Sequence, residues 1–416
     1  MTTIRSLAPV PHLLGSDPYG IETLDCYRAA GGYTRIDPQT LLAHIDTNEL
    51  RSHDEAAFPL TTKLRSVIAS ATATRLAPVV VANGEEGEPG SVKDRQLMRT
   101  RPHLILDGLA HAAAIIGADR AYAYVSDHAS ADALAEALDA YPPVVPTTVV
   151  RVDPAYVAGE ETAVVRFLDG GPALPVAKPP RPYERGVGGA PTLTSNVETL
   201  AHLARLASGV DSTANLLLTI GGSGIEPALV EVTAGTRLRA VLAACGWWHA
   251  TGALMGGLFG GVSGESILDT PVSADALRAA GSALGCGAIH LLAPDDCPVD
   301  LAVDALAYLA AESALQCGVC ISATAALATT AAALRTGAAT AEDLAKIERW
   351  VLTLPGRGAC GLLDAAARVA GSLLAGFRPL VDAHLGGTCR RCATGHPSGT
   401  GRLIVDIPTC HQLATR

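Results

Sequence analysis

The run Leu76-Ala77-Pro78-Val79-Val80-Val81-Ala82 constrains this chain most, because turn chemistry follows it at once: Asn83-Gly84-Glu85-Glu86-Gly87-Glu88-Pro89-Gly90-Ser91-Val92-Lys93-Asp94-Arg95. A short apolar run closed by glycine and acidic residues reads as a buried strand ending in a loop. Helical spacing follows from about Arg101 to Ile116 (Leu104, Leu106, Leu109, Ala112, Ile116). Residues 121–126 (AYAYVS) read as a second strand, and 129–141 (ASADALAEALDAY) as a helix with Ser130 as its N-cap. Strand, helix, strand, helix specifies an α/β domain with a doubly wound sheet. Ligands of such sheets bind in the crevice outside the carboxyl ends of the strands. The glycines at 84, 87 and 90 allow close backbone approach, and Glu85, Glu86 and Glu88 supply acceptors for ribose or amide groups. The same composition also suits an acidic surface loop.

Two further segments carry polar chemistry at predicted helix starts. Tyr156-Val157-Ala158-Gly159-Glu160-Glu161-Thr162-Ala163 sets two glutamates where they complement a helix dipole. Thr194-Ser195-Asn196-Val197-Glu198-Thr199-Leu200 sets hydroxyl and amide groups at another.

The rest of the chain divides by texture. Residues 1–40 read as an irregular, proline-punctuated lead-in, and 172–191 (PALPVAKPPRPYERGVGGAP) as a connector without regular structure. After a helix at about 196–208, residues 215–292 show short strand-like runs (LLLTI, ALVEVT, AIHLL) around one helix, Arg237–Cys245, as in a small α+β module. From Val299 to Phe377 the pattern is helical and rich in Ala and Leu, broken at Leu354-Pro355-Gly356, as in a helical bundle. From Arg378 onward the chain reads as loop and carries three cysteines.

A length of 416 residues calls for two to four domains. A net charge of −10 leaves no basic surplus for general nucleic-acid binding, although a local site could still take an anion. The opening residues lack a continuous apolar h-region. The apolar stretches Gly108–Gly117 and Gly252–Gly261 fall short of the ~20 residues that span a bilayer. The expectation is a cytoplasmic protein without a direct membrane span. Ten cysteines in such a protein point to metal ligands or buried thiols rather than disulfides.

Taken together, NGEEGEPGSVKDR, YVAGEETA, Lys178-Pro179-Pro180 and TSNVETL resemble, in order and spacing, the NADH-binding flavoprotein subunit of respiratory complex I. That family includes the diaphorase subunits of NAD-linked hydrogenases and formate dehydrogenases. Leu268-Asp269-Thr270-Pro271, Leu277–Ser282 and Gly285-Cys286-Gly287-Ala288 resemble its next, ubiquitin-like module of the soluble-ligand-binding β-grasp (SLBB) type. The resemblance covers about Leu50 to Phe377. It implies a Rossmann-like FMN/NADH domain with its lead-in over 1–212 and an SLBB β-grasp domain over 213–295. A helical iron–sulfur domain over 296–378 and a cysteine-containing tail over 379–416 follow. It also implies hydride delivery from NADH or NADPH to FMN, and transfer of single electrons to a cluster. Hydride transfer itself asks no side chain to act as acid or base. Carried over by position, Lys63, Asn83, Glu85, Tyr156, Gly159, Glu160, Ser195 and Asn196 would line the flavin and its phosphate. Glu86, Glu88 and Glu161 would lie nearer the dinucleotide.

The pattern is broken in three places. The family's glycine-rich loop before the first acidic motif is replaced by Leu50-Arg51-Ser52-His53-Asp54-Glu55-Ala56-Ala57-Phe58-Pro59, which puts Asp54 and Glu55 where a phosphate would sit. Arg181 follows the Lys-Pro-Pro motif in place of an aromatic, and could stack on adenine or pair with the extra phosphate of NADPH. The cluster motif also departs from the family: Ala314 stands at the first cysteine position, with Cys317, Cys320 and Cys360 at the other three. Three thiolates suit a [3Fe–4S] cluster, or a [4Fe–4S] cluster with a non-cysteine or remote ligand. Cys389 and Cys392, with His396, Cys410 and His411 beyond, suit a separate zinc knuckle, a donor to the altered cluster, or free thiols. Cys26, Cys245, Cys286 and Cys297 read as structural.

Two functions follow as expectations. One is an NAD(P)H-dependent flavin iron–sulfur oxidoreductase passing electrons to a ferredoxin-like or thioredoxin-like [2Fe–2S] partner or a quinone-reductase partner. The other is a flavin-free homologue serving as an electron relay or structural subunit.

Overall fold

In a computed structural model the chain is described over residues 2–53, 57–393 and 399–407. It separates into two compact units, one built from Ile4–Gly87 and Val92–Leu217, the other from Leu218–Asp406 together with Glu88–Ser91.

The first unit is α/β. Its four strands, Val79–Gly84, Arg120–Val125, Thr147–Arg151 and Thr192–Asn196, are all parallel. The chain winds outward from Val79–Gly84 through the second and third strands, then returns to lay the fourth against the other side of the first. The reversal makes the gap between Val79–Gly84 and Thr192–Asn196 the topological switch point. Val79 and Val81 pack with Tyr124, Val152 and Val164 on one face of the sheet. Strand alternation sends Val80 and Ala82 to the other face, and both are buried. A sheet buried on both faces explains why this strand reads as one continuous apolar run.

Helices Pro102–Ile116 and Val197–Ala207 pack at close range because position 108 is glycine. A Cβ there would lie 1.9 Å from the Leu200 carbonyl oxygen. The next helix, His128–Ala140, is capped by Asp127, whose carboxylate accepts the Ser130 N–H at 2.8 Å, so Ser130 is the capped residue and not the cap. The lead-in is more ordered than its prolines suggest. Helices occupy Leu24–Ala29 and Pro38–Thr47, the latter started by proline at its first turn and by an Asp37 cap.

The second unit combines a mixed sheet with helices. Strands Ala228–Thr233, Asn215–Gly222, Ala288–Leu292, Gly252–Met255 and Val262–Gly264 lie side by side in that order. Ala288–Leu292 runs parallel to the first of these in sequence and antiparallel to Gly252–Met255. Helix Leu238–Cys245 connects the second and third strands in sequence. Strands Gly252–Met255 and Val262–Gly264 and the helix Ala274–Ala279 are too short to show a clear periodicity.

Four longer helices follow: Pro298–Ala311, Gly318–Thr336, Ala341–Thr353 and Leu362–Ala383. Arg335 of the second pairs with Asp300 and Asp304 of the first, and Arg402 reaches the same two carboxylates at 3.0 and 2.6 Å. The last helix does not stop at Phe377. It bends there, ahead of Pro379, and runs to Ala383. Among the described residues one helix, Gly318–Thr336, is long and apolar enough by length and composition to cross a membrane, and it lies outside the two shorter apolar stretches of the sequence.

Candidate functional site

The switch point gathers most of the acidic motif. Asn83 is the second-to-last residue of the strand Val79–Gly84, and its Nδ2 donates to the Gly159 carbonyl at 2.8 Å. This bond ties the first acidic loop to the second. Their backbones touch so closely that a Cβ on Gly87 would lie 2.8 Å from Tyr156 Cα. Glu85 is buried there, with Oε1 facing the Ala155 N–H at 3.4 Å and Oε2 without a hydrogen-bond partner. Burial lifts this carboxyl to about 8 from an ordinary 4.5, overcoming the backbone N–H groups of Ala155 and Gly87 that favour its anion. At neutral pH it is a neutral acid that can donate a proton in a hydrogen bond. On the adjacent strand the hydroxyls of Thr194 and Ser195 are also buried without a partner. Buried polar groups are normally hydrogen-bonded, so these three atoms are the ones in the motif open to a polar ligand.

The other acidic residues have partners within the fold. Glu86 accepts the N–H groups of Asp94 and Arg95, both at 3.1 Å, and so closes the start of helix Lys93–Thr100. Glu160 caps helix Glu161–Leu168, and Lys178 bridges Glu160 and Glu161 at 2.6 and 3.2 Å. The lysine of the Lys-Pro-Pro motif thus offsets one of the two charges of the Gly-Glu-Glu turn. Glu88 belongs to the second unit, where its Oε2 accepts the Leu258 N–H at 3.1 Å. Lys63 is half-buried on helix Leu60–Thr74, and Arg181 is exposed, its backbone N–H held by Glu184. Asp54 and Glu55 lie outside the described residues.

Beneath the switch point is a charged cluster that sequence reasoning misses. The Lys93 ammonium is fully buried between Asp94 Oδ1 at 2.7 Å and Glu198 Oε2 at 2.9 Å. Asn196 uses both ends of its amide here. Nδ2 donates to Asp94 at 2.7 Å, and Oδ1 caps helix Val197–Ala207 through the Glu198 N–H at 2.9 Å. Glu198 also faces His53 Nδ1 at 3.3 Å, and His53 stacks on the buried His202. Burial weakens the Lys93 cation, but its two carboxylates outweigh that and raise its pKa. Burial opposes the Glu198 anion, yet Lys93 and His53 hold it well below the usual carboxylate range. His202 is driven far below its ordinary value, chiefly by burial, and is neutral. His53, Glu198 and His202 present donors within 4.8 Å of one another. The Lys93 ammonium already supplies the cation this carboxylate needs. Lys93, Asp94 and Glu198 all sit inside the polar motifs of the sequence, but nothing local says that they meet.

One set of cysteines gathers in space, and the three at the expected cluster positions are placed by helix ends. Cys317 stands at the N-cap of helix Gly318–Thr336, with Cys320 one turn inside and buried; Cys360 precedes helix Leu362–Ala383. Burial raises the Cys320 thiol, and a nearby Cys317 adds to that. Cys317, Cys320 and Cys360 all fall inside the helical region that follows Pro298. Cys389 and Cys392 do not join them. They gather with His384 and with Cys297, whose isolation in the sequence suggests only a structural thiol; no sequence signal singles out His384. His396, Cys410 and His411 lie outside the described residues.

Comparison with known proteins agrees with this layout. A family model described as the Nuo51 FMN-binding domain matches residues 45–205, and one described as the NADH-ubiquinone oxidoreductase-F iron-sulfur binding region matches residues 300–384. F subunit 2 of the NADH-quinone oxidoreductase of Rhizobium meliloti is 32% identical over 413 residues, covering 89% of this chain and 95% of the relative. The mitochondrial NADH dehydrogenase [ubiquinone] flavoprotein 1 of Dictyostelium discoideum is 29% identical over 374 residues, covering 82% of this chain and 78% of the relative. Among solved structures, a chain of the NAD+-reducing [NiFe]-hydrogenase in its H2-reduced state superimposes with a TM-score of 0.74 at 27% identity, over 84% of this chain and 63% of that one. The fold and these matches define a flavin and iron–sulfur protein of the NADH dehydrogenase class. Within that class, the chain belongs to the family of NADH-quinone oxidoreductase F subunits.

Proposed function

We propose that this chain accepts hydride from NADH or NADPH at the switch point of its parallel sheet. It then passes the electrons singly, through the thiolate site of Cys317, Cys320 and Cys360, to a ferredoxin-like or thioredoxin-like [2Fe–2S] partner. The observation that carries this reading is the set of buried, unsatisfied atoms (Glu85 Oε2, Thr194 Oγ1, Ser195 Oγ) inside the segment matching the FMN-binding domain. FMN supplies the two-electron to one-electron conversion when bound. The chain's own part is positional. Asn83 and Gly159 hold the two acidic loops together, and neutral Glu85 offers a proton donor in a dry site. Lys63, Tyr156, Glu160, Ser195 and Asn196 would line the flavin side, and Glu86 and Glu161 the dinucleotide side. Arg181 would stack on the adenine or pair with the additional phosphate of NADPH. Cys317, Cys320 and Cys360 would hold the cluster through three thiolates, with Ala314 leaving one position to another ligand.

The domain plan of the family extends this reading: 1–212 for FMN and NADH, 213–295 for a β-grasp module, 296–378 for the iron–sulfur helices and 379–416 for the tail. In the order in which they occur, the strands from Asn215 to Leu292 lie as second, first, fifth, third and fourth, with a helix after the second, the arrangement of a ubiquitin-like β-grasp module. We place the protein at the periphery of a multisubunit redox assembly in the cytoplasm.

Dye reduction tests the reading. After reconstitution with FMN, NADH or NADPH should support reduction of an artificial acceptor, and a Ser195→Ala, Glu85→Ala double variant should retain less flavin. No reduction with either nucleotide would overturn it in favour of a flavin-free relay, the reading that the altered sequence at Leu50–Pro59 favours.

A further inference from the structure

The geometry points to a tetrahedral zinc site formed by Cys297, His384, Cys389 and Cys392, separate from the iron–sulfur thiolates, that fastens the C-terminal segment to two helix ends. The donor atoms of these four residues all lie within 4.8 Å of one another. Cys297 Sγ is 3.6 Å from His384 Nε2 and 3.7 Å from Cys389 Sγ. With zinc–sulfur bonds of ~2.3 Å and zinc–nitrogen bonds of ~2.0 Å, the edges of a regular tetrahedron come to about 3.8 Å between sulfurs and about 3.5 Å between sulfur and nitrogen. The observed separations are those edges. A four-iron cube binds each thiolate at a different corner and needs them spread wider than ligands of one ion, so this set is too tight for it. Nor do these sulfurs form a disulfide. Cys297 and Cys389 stand well beyond bonding distance, and a disulfide has no use for a histidine.

The surroundings prepare each donor. His384 is completely buried, and its Nδ1 lies 2.9 Å from the Leu334 carbonyl oxygen. A carbonyl only accepts, so Nδ1 carries the proton and Nε2 keeps its lone pair toward the sulfurs. Cys297 is the N-cap of helix Pro298–Ala311, where the helix dipole favours an anion. The Cys392 N–H donates to Cys389 Sγ at 3.4 Å, the turn that a C-x2-C ligand pair adopts, and Arg391 anchors that turn through the Asp296 carbonyl at 2.9 Å. Three thiolates on one divalent ion leave a net charge of −1, which this arginine offsets. The four ligands come from three places in the chain: the start of Pro298–Ala311, the end of Leu362–Ala383 and the short helix Arg390–Ala393. One ion therefore closes a loop of about ninety residues, the sort of long-range link that adds most to a folded state.

Metal analysis of the purified full chain tests this. About one zinc per chain is expected, in addition to any iron. Cys389→Ser should drop zinc by roughly tenfold and leave iron unchanged, while Cys317→Ser should do the reverse. Cobalt(II) exchanged into the wild-type protein gives a second readout that needs no variant. Intense tetrahedral d–d bands with sulfur-to-cobalt charge transfer support the site. Six-coordinate cobalt spectra, zinc retained in Cys389→Ser, or zinc lost with iron in Cys317→Ser would each overturn it.

Discussion

Replacing Glu85 by glutamine probes the switch point directly. The side chain is buried, one oxygen meets the Ala155 N–H, and the other has no partner in the fold. An unfolded glutamate loses its proton near 4.5, whereas the folded one keeps it to about 8. The sign follows from proton binding. Between these values the native state holds a proton that the unfolded state has released, so stability is present at low pH and is lost as pH rises through about 8. At ~1.36 kcal/mol for each tenfold change in proton affinity, the full displacement corresponds to roughly 5 kcal/mol, an upper bound that local relaxation reduces to about 2–5 kcal/mol. Glutamine keeps an acceptor for Ala155 and cannot ionise. Urea unfolding of both proteins from pH 5 to pH 9 should therefore show the wild type falling steadily relative to Glu85→Gln and then running parallel above about 8. Curves that stay parallel from pH 5 upward would refute the claim that this carboxyl is neutral in the folded protein.

Other perturbations test the elements that support the site. Lys93→Met leaves Asp94 and Glu198 buried without their cation and should cost about 3–5 kcal/mol in urea unfolding. Gly108→Ala puts a methyl group 1.9 Å from the Leu200 carbonyl and must push helices Pro102–Ile116 and Val197–Ala207 apart, a loss of about 1–3 kcal/mol or more that a thermal melt will read. Burial opposes the Asp127 anion, but hydrogen bonds from Arg99 at 2.8 and 2.6 Å and from Ser130 prevail and hold it at about 2. Its contribution of about 1–2 kcal/mol is thus present above the ordinary aspartate value near 4 and lost as pH falls through about 2. Asp127→Asn should show a shallower loss between pH 4 and pH 2 in the same assay.

Much of the α/β unit is legible in the sequence, because its signals are local. Val79–Val81 are apolar on both faces of a strand, and Glu160 precedes a helix it then caps. The same locality explains the errors. Asp127 and Ser130 are both good N-cap residues three positions apart, and only the backbone at Asp127 decides between them. Strands as short as Gly252–Met255 carry too little side-chain pattern to be seen. Long-range association is not legible at all. Lys93 meets Glu198, and Cys297 meets His384 and Cys389, across about a hundred residues of chain. Spacing marks Cys389 and Cys392 as a ligand pair, but it does not reveal their partners. Glu88 shows the converse: it sits in one continuous motif with Glu85 and Glu86, yet it packs in the other unit.

Whether this family member still works as a flavin-linked NADH dehydrogenase is tested most directly by the visible spectrum of the purified protein, recorded anaerobically before and after NADH or NADPH is added. A flavin band beside the iron–sulfur absorption is expected, with bleaching of both when nucleotide is added. A spectrum with only the broad iron–sulfur shoulder, unchanged by either nucleotide even after FMN reconstitution, would contradict that role.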